Sequence, residues 1–374
     1  MAPPSLIPVM FLVIILSLFS ISSSLPIPVR SDYEVSLLFE GWLVKLNKAY
    51  KDSSEKQKRY EIFKDNLRYI DEHNAGNHTF TLALTVFADI TVEEYRGTYL
   101  GTLPASPGLH ITSMNYDNNE KSDIYNFSTV PDSIDWRDLG AVLPVKNQGA
   151  CFSCWAFAAV ATIEAANQIA TGDLISLSEQ QLVDCDHKSC DPYWIHKTYE
   201  YIEKNGGIDS EQDYPYKAKL GKCDTTKESN IVVTIDGWSW APRKNEYGLM
   251  VRVSKQPVAT GVEAYERDFQ HYGSGVFTKY CGSKQDHAVT IIGYGSDGGM
   301  DYWLIKNSWG DYWGEAGYMR LERNIKDRVG KCGVAEWPVY PIVNKHVDNP
   351  FGMKKPAETP SDHSRAQAEG KITS

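Results

Sequence analysis

The residues best suited to covalent chemistry lie together in Gln148-Gly-Ala-Cys151-Phe152-Ser-Cys154-Trp155, where a loop runs into an apolar helical segment. A cysteine at a helix N-terminus has its thiolate favoured by the macrodipole and by unpaired backbone amides. A neutral imidazole nearby would complete a nucleophile–base pair. The candidate base is His287, in Asp286-His287-Ala288-Val-Thr-Ile-Ile-Gly293. The candidate group to orient it is Asn307, in Lys306-Asn307-Ser-Trp309-Gly310.

Two other chemistries compete for the same residues. Cys151-Phe-Ser-Cys154 is also a C-x-x-C pair of the redox type, but such pairs sit in a βαβ context, which the pattern here lacks. Cys185-Asp-His187 with Cys190 could form half of a zinc site, yet no matching Cys/His pair follows. No metal and no cofactor is expected. Histidines are usually structural, and His73, His78, His110, His187, His196, His271, His346 and His363 receive that reading.

The elements that must position these groups come in blocks. Val35, Leu38, Phe39, Trp42, Leu43 and Leu46 follow a helical period. A longer helix is predicted from about Ser54 to Asn74. Glu55, Arg59, Phe63, Asn66, Ile70 and Asn74 share one of its faces, mixing charge, amide and hydrophobe. That stripe is either a solvated face with one Glu–Arg pair or a docking face. Thr79 to Val86 alternates like a strand, and Thr91 with Glu94 resembles a capping box. From Leu100 to about Thr129 the chain is rich in Gly, Pro, Ser, Asn and Asp, a linker and a boundary. Beyond it, helices are predicted at Cys154 to Gly172 and Trp194 to Lys204, and Ser178 with Gln181 suggests another capping box. Strands are predicted at Ile231–Ile235, Val258–Val262, Ala288–Ile292, Tyr302–Ile305 and Tyr318–Leu321. Helices first and strands second give an α+β fold in two lobes.

Composition narrows the setting. The 374 residues are 42% hydrophobic and 23% charged, an ordinary globular balance. A net charge of −10 argues against a nucleic-acid partner. Val9 to Phe19 is apolar apart from Ser17, too short to span a membrane and suited to a signal-peptide core cleaved near Ser24. Secretory entry permits disulfides, and seven cysteines then divide into three pairs and one free thiol. Asn77-His-Thr79 and Asn126-Phe-Ser128 are glycosylation sequons on that route.

Three blocks together resemble the papain-like cysteine protease family, in a plant precursor form: the cysteine block at 148–155, the Asp-His-Ala block and the Asn307-Ser-Trp-Gly310 block. Val130-Pro-Asp-Ser-Ile-Asp-Trp136-Arg resembles the start of a mature enzyme, and the Glu55 to Asn74 stripe the family's inhibitory pro-region helix. The resemblance runs from Val35 to Pro341. It implies a papain-like two-lobe fold, with an N-terminal helical lobe and a C-terminal antiparallel β-barrel-like lobe, behind a mostly helical pro-region. The implied segments are 1–24 signal, 25–129 pro-region, 130–344 peptidase (helical lobe about 140–230, β lobe about 231–340) and 345–374 polar tail.

The resemblance implies a cysteine endopeptidase working through an acyl-enzyme. Cys154 would be the nucleophile and His287 its acid/base. Asn307 would hold the imidazole and Trp309 would shield that bond, while Gln148 would donate to the oxyanion. A thiolate–imidazolium pair would bring the thiol pKa to about 3–4, a magnitude documented for this family. Disulfides Cys151–Cys190, Cys185–Cys223 and Cys281–Cys332 are implied. Phe152, Trp194, Gly261, Asp286, Ala288 and Trp309 would contact substrate, with Gly261 and Ala288 leaving room at P2 for a large apolar side chain. The partners would be protein or peptide substrates and the chain's own pro-region as intramolecular inhibitor. A monomer without stable membrane insertion is expected, in a vacuole or outside the cell.

The sequence also departs from the family. Phe152 stands where glycine is usual, and Asp191-Pro192-Tyr193-Trp194 follows Cys190 without the usual pair of glycines. A phenyl ring beside the nucleophile predicts a P1 preference for small residues. The alternative is a weakly active or non-catalytic protease-like binding or storage protein. In the pro-region, Ala83 and Thr85 replace the usual Gly and Asn before Phe87-Ala-Asp89, which predicts altered pro-region folding or release.

Overall fold

The computed structural model describes residues 30–101 and 130–344. The predicted signal segment, the linker with Asn126 and the polar tail lie outside the described residues.

Each helix of the N-terminal part begins on a sequence signal. Ser31 and Glu34 form a reciprocal capping box for α1 (Asp32–Leu46), which buries Val35, Phe39, Trp42 and Leu43. Asp52 caps α2 (Ser53–Asn74), which buries Phe63, Asn66, Leu67 and Ile70. These two helices share a small apolar core with Ala88. Strand β1 covers only Phe80–Leu82, shorter than the alternation to Val86 predicts. Asn74 ends the strand by bonding both the N–H and the carbonyl of Leu82 (2.9 and 2.8 Å), and the chain turns away. Thr91 and Glu94 make the second reciprocal box, opening α3 (Val92–Tyr99).

Past the linker come β2 (Ile134–Asp135) and α4 (Cys154–Thr171), which ends on Gly172 at φ 89°. Gln181 departs from the predicted box. Ser178 accepts from its N–H, but the Gln181 carboxamide turns to the Asp209 N–H (2.8 Å) and Tyr201 Oη. Helix α5 (Ile195–Asn205) stops at Gly206, φ 82°. Helix α6 (Glu246–Val253) packs on the sheet.

The strands are β3 (Gly237–Trp240), β4 (Val258–Val262), β5 (Tyr272–Phe277), β6 (His287–Asp297), β7 (Met300–Lys306), β8 (Tyr318–Glu322) and β9 (Val339–Ile342). They run in the order β1-β5-β8-β7-β6-β4-β9-β3, with β2 on β6. All pairs are antiparallel except β5–β8, which is parallel and departs from the antiparallel lobe expected. Ile231–Ile235 is not a strand. Val233 and Ile235 are buried while Val232 and Thr234 are exposed, so alternation holds from 232 to 235 but not at Ile231, which is exposed, and the segment's partner is a single bridge from Val233 to Ile208.

Two cores meet at the site. One surrounds α4 and α5 and reaches Ala259, Ala288 and Val339 of the sheet. The other fills the β side and includes Ile70, Phe80, Leu82, Phe87, Tyr95 and Leu100 from the N-terminal part. That part is thus an edge strand and a wall of the second core. Among the described residues no helix is long and apolar enough to cross a membrane.

Candidate active site

Cys154 is the first residue of α4, and its helix end is left open. Ser153, at the N-cap position, makes no side-chain cap; its hydroxyl bonds Tyr216 Oη at 2.6 Å instead. The amides of Ala156 and Phe157 bond the Ser153 carbonyl, and those of Cys154 and Trp155 are left to face the sulfur, as a thiolate requires. The other six cysteines form Cys151–Cys190, Cys185–Cys223 and Cys281–Cys332, leaving Cys154 as the free thiol. The grouping of Cys185, Cys223 and Glu228 brings metal-type donors together, but both sulfurs are tied in a disulfide.

His287 opens β6 and Asn307 follows directly after β7, the strand paired with it. Nε2 of His287 and Oδ1 of Asn307 are 2.7 Å apart. The Ser308 N–H also donates to that oxygen, at 2.8 Å, which fixes the amide orientation. Oδ1 can only accept, so Nε2 carries the proton. Nδ1 is buried and makes no hydrogen bond. The Trp309 ring stacks on His287 with centroids 4.4 Å apart, and both are about 1% exposed. The backbone of Ala288, the next residue after His287, hydrogen-bonds the Cys154 sulfur, which joins helix and strand at the site.

Gln148 is fully buried and held at three points. Its N–H donates to the Ser308 carbonyl (2.8 Å), its Oε1 accepts from Ser308 Oγ (2.7 Å), and its carbonyl accepts from Tyr216 Oη (2.7 Å). The Nε2 that remains donates to the carbonyl of Tyr99 at 3.3 Å. Ser308, Tyr216 and Tyr99 are site residues that the motifs do not single out. Ser308 alone had a signal, since it lies inside the Asn307-Ser-Trp-Gly block.

The segment after α3 lies across the cleft. The Gly101 N–H donates to the Asp286 carbonyl at 2.9 Å. A Cβ on Gly101 would fall 1.9 Å from Pro192 Cγ, so only glycine fits between the two walls. Phe87 and Tyr95 stand edge-on to Trp309, at 5.1 and 5.7 Å. Tyr95 Oη and Arg96 Nε donate to the carbonyls of Ala264 and Tyr265.

This cover changes the charges expected of the pair. Burial pushes the Cys154 thiol up to about 11, against the pull of the Ala288 backbone. It pushes His287 down to about 4, against the bond to Asn307. The expected thiol pKa near 3–4 is therefore not met in the closed chain: with water excluded, neither charged form is solvated and both groups are neutral.

The residues expected to contact substrate are distributed around this point. Phe152 is partly exposed and sits at φ 21°, in the region that favours glycine. Asp286 accepts the Ala264 N–H on its carboxylate (2.7 Å), and burial raises its pKa to about 7. Gly261 and Ala288 are paired across β4 and β6. The room expected beside Gly261 is taken: a Cβ there would lie 2.4 Å from Gln285 Oε1. Trp194 packs on His196 and Trp337. Asn77 is exposed, and Asn126 lies outside the described residues.

A thiol and an imidazole sealed under a segment of their own chain mark the class of thiol hydrolases made as inactive precursors. Comparison with known proteins makes this specific. A profile of papain family cysteine proteases matches residues 130–342, and one of the cathepsin propeptide inhibitor domain matches 39–95. Cysteine proteinase RD21A of Arabidopsis thaliana is 48% identical over 320 residues, covering 84% of this chain and 68% of that one. Probable cysteine protease RDL2, also of Arabidopsis thaliana, is 48% identical over 340 residues, covering 88% and 92%. The structure of recombinant stem bromelain precursor superposes with a TM-score of 0.75 at 42% identity, covering 83% of this chain and 99% of that one. The chain belongs to the papain family of cysteine proteases. It is a cysteine endopeptidase synthesised with an inhibitory pro-region, and the fold is the α+β papain-like one.

Proposed function

We propose that peptide hydrolysis is carried by Cys154, His287, Asn307 and Gln148, and that residues 25–129 hold the enzyme closed until they are removed. The hydrogen bond from His287 Nε2 to Asn307 Oδ1 carries this reading. It leaves Nδ1 as the nitrogen able to take the thiol proton. Once the cleft opens to water and substrate, proton transfer gives thiolate and imidazolium. The thiolate attacks the scissile carbonyl. The resulting oxyanion is held by Gln148 Nε2, released from Tyr99, and by the Cys154 N–H. The imidazolium then protonates the leaving amine, and water, deprotonated by the neutral imidazole, hydrolyses the acyl-enzyme.

The chain enters the secretory pathway behind residues 1–24, matures to about residues 130–344 as a monomer, and works in a vacuole, with Asn77 and Asn126 glycosylated. P1 is restricted by Phe152, which leaves small residues as the favoured P1. Acidification of the purified precursor tests the catalytic reading. Loss of the pro-region together with stoichiometric alkylation of Cys154 is expected. Absence of labelling, or cleavage that survives Cys154→Ser, overturns it. For P1, a peptide panel should favour Gly and Ala over Arg and Lys, with Phe152→Gly restoring the bulky substrates. Equal turnover of both sets by the wild type removes the role of Phe152.

A further inference from the structure

We propose that Gln285 sets the P2 preference, turning a pocket expected to take large apolar side chains into one for short side chains that carry a hydrogen-bond donor. This rests on the reading that Trp194, Gly261 and Ala288 border the P2 pocket.

Gly261 and Ala288 are directly opposed in the antiparallel β4–β6 pair. Opposed residues project to the same face of a sheet. A side chain at 261 would therefore lie beside the Ala288 methyl, and Ala288 touches the Cys154 sulfur through its backbone. Gln285 occupies that volume. From the ideal Cβ position at 261, Gln285 Oε1 is 2.4 Å away, Cδ 2.5 Å and Cβ 2.9 Å. The carboxamide is also locked in place. Its Nε2 donates to the Gly261 carbonyl at 2.9 Å and the Gly333 carbonyl at 2.8 Å, spending both protons on backbone. These bonds turn Oε1, an acceptor, toward the face shared with Ala288.

The same segment closes the far side. Trp337, four residues beyond Gly333, meets the Trp194 ring at 6.4 Å and 70° and the Trp240 ring at 5.7 Å. Arg243 stacks on the outer part of Trp337, its guanidinium carbon 3.2 Å from the ring centroid. An aliphatic or aromatic P2 side chain entering here would displace a carboxamide held by two buried bonds, or bury its acceptor against hydrocarbon. A Ser, Thr or Asn side chain is short enough to stop at Oε1 and can donate to it. Sites built on such a bond discriminate far more strongly than apolar pockets do.

The test uses the acid-activated full-length precursor and a peptide panel with one fixed P1 residue and P2 varied. Ser, Thr or Asn at P2 should exceed Leu or Phe in kcat/KM by about tenfold or more. Gln285→Ala should reverse that order. A wild type that favours Leu or Phe overturns the proposal, and this arm does not depend on any variant folding. If Gln285→Ala keeps the wild-type P2 order while Trp194→Ala changes it, Gln285 is not the determinant but the pocket stands. If neither substitution moves the P2 profile, the pocket reading falls and the proposal with it.

Discussion

His287 is held by two different parts of one short block: its Nε2 edge by Asn307 and its ring face by Trp309. Asn307→Ala removes the edge contact and leaves the ring free to rotate within its stack. The expected loss in kcat/KM is about 10²-fold, the lower end of what positioned acid–base catalysis contributes. Titration of the variant by a thiol-specific alkylator should show the pH profile of thiolate formation displaced, which a purely structural defect would not do. Gln148→Ala is a different loss. It removes a donor to charge that exists only in the transition state, so about 2.7–4 kcal/mol should appear in kcat with KM little changed. Steady-state kinetics on one peptide with both variants separates the two roles. An equal split of each effect between kcat and KM would refute the assignment.

The stripe on α2 is a docking face at the scale of the element. Arg59 pairs with Glu55 as the sequence predicts (2.6 Å), but it also reaches Glu94 Oε2 (2.7 Å) and the Asp89 carbonyl (3.2 Å). Asn66 donates to the carbonyls of Ala88 and Ile90 and accepts from Arg267, across the pro-region boundary. Asn66→Ala takes the side-chain donor from the buried Ala88 carbonyl, while the Ile90 carbonyl keeps Gln270 Nε2 (3.2 Å), and should destabilise the precursor by about 1–3 kcal/mol, read by thermal or denaturant unfolding against the wild type. Thr85, the departure noted from the family pattern, is accommodated: its hydroxyl donates to the Gln270 carbonyl at 3.0 Å. Gly101 is the weak point of the cover. Gly101→Val has to push Pro192 or lift the 99–101 segment, and lifting it frees Gln148. The variant precursor should convert to the mature form several-fold faster at a given pH, measured by the rate of pro-region loss on a gel. An unchanged rate would mean the segment contributes nothing to closure.

At the scale of the whole molecule, closure is a proton-linked equilibrium. Burial lowers His287 from its ordinary 6.5 to about 4, and lowers His271, buried under the pro-region strand, to about 3. An unfolded chain binds protons at both sites near pH 6.5 and the closed chain does not; on opening alone only His271 takes one up from solvent, because His287 receives its proton from Cys154. Stability of the closed form is therefore fully present above about 6.5 and falls as pH drops toward 4. Glu94 adds the same sign: burial opposes its ionisation, but the Thr91 N–H and Arg59 hold its pKa low. Its contribution too is lost on acidification. Precursor unfolding midpoints and pro-region retention should both decline between pH 6.5 and 4, and replacing His271 by Gln should flatten the upper part of that decline. A pH-independent midpoint over this range would contradict the linkage.

The sequence by itself determined the local pieces: the reciprocal boxes at Ser31 and Thr91, the glycine ends of α4 and α5, and which residue types could serve as nucleophile, base and orienting amide. These are legible because caps and periodicity act within a few residues of chain. Tertiary structure decided the rest. Ile231–Ile235 has β-forming residue types yet finds a one-residue partner, because pairing depends on which distant strand reaches it. Gln181 has the type for a capping box, but a stronger partner at Asp209 takes its carboxamide. The residue type at Gly261 leaves space, but a side chain from a different part of the chain, Gln285, fills it. The charge state of Cys154 followed the same rule. The count leaves one thiol over and the resemblance implies that it is Cys154, whereas its protonation depends on burial beneath the pro-region segment that ends at Tyr99–Gly101, a contact between parts of the chain far apart in sequence.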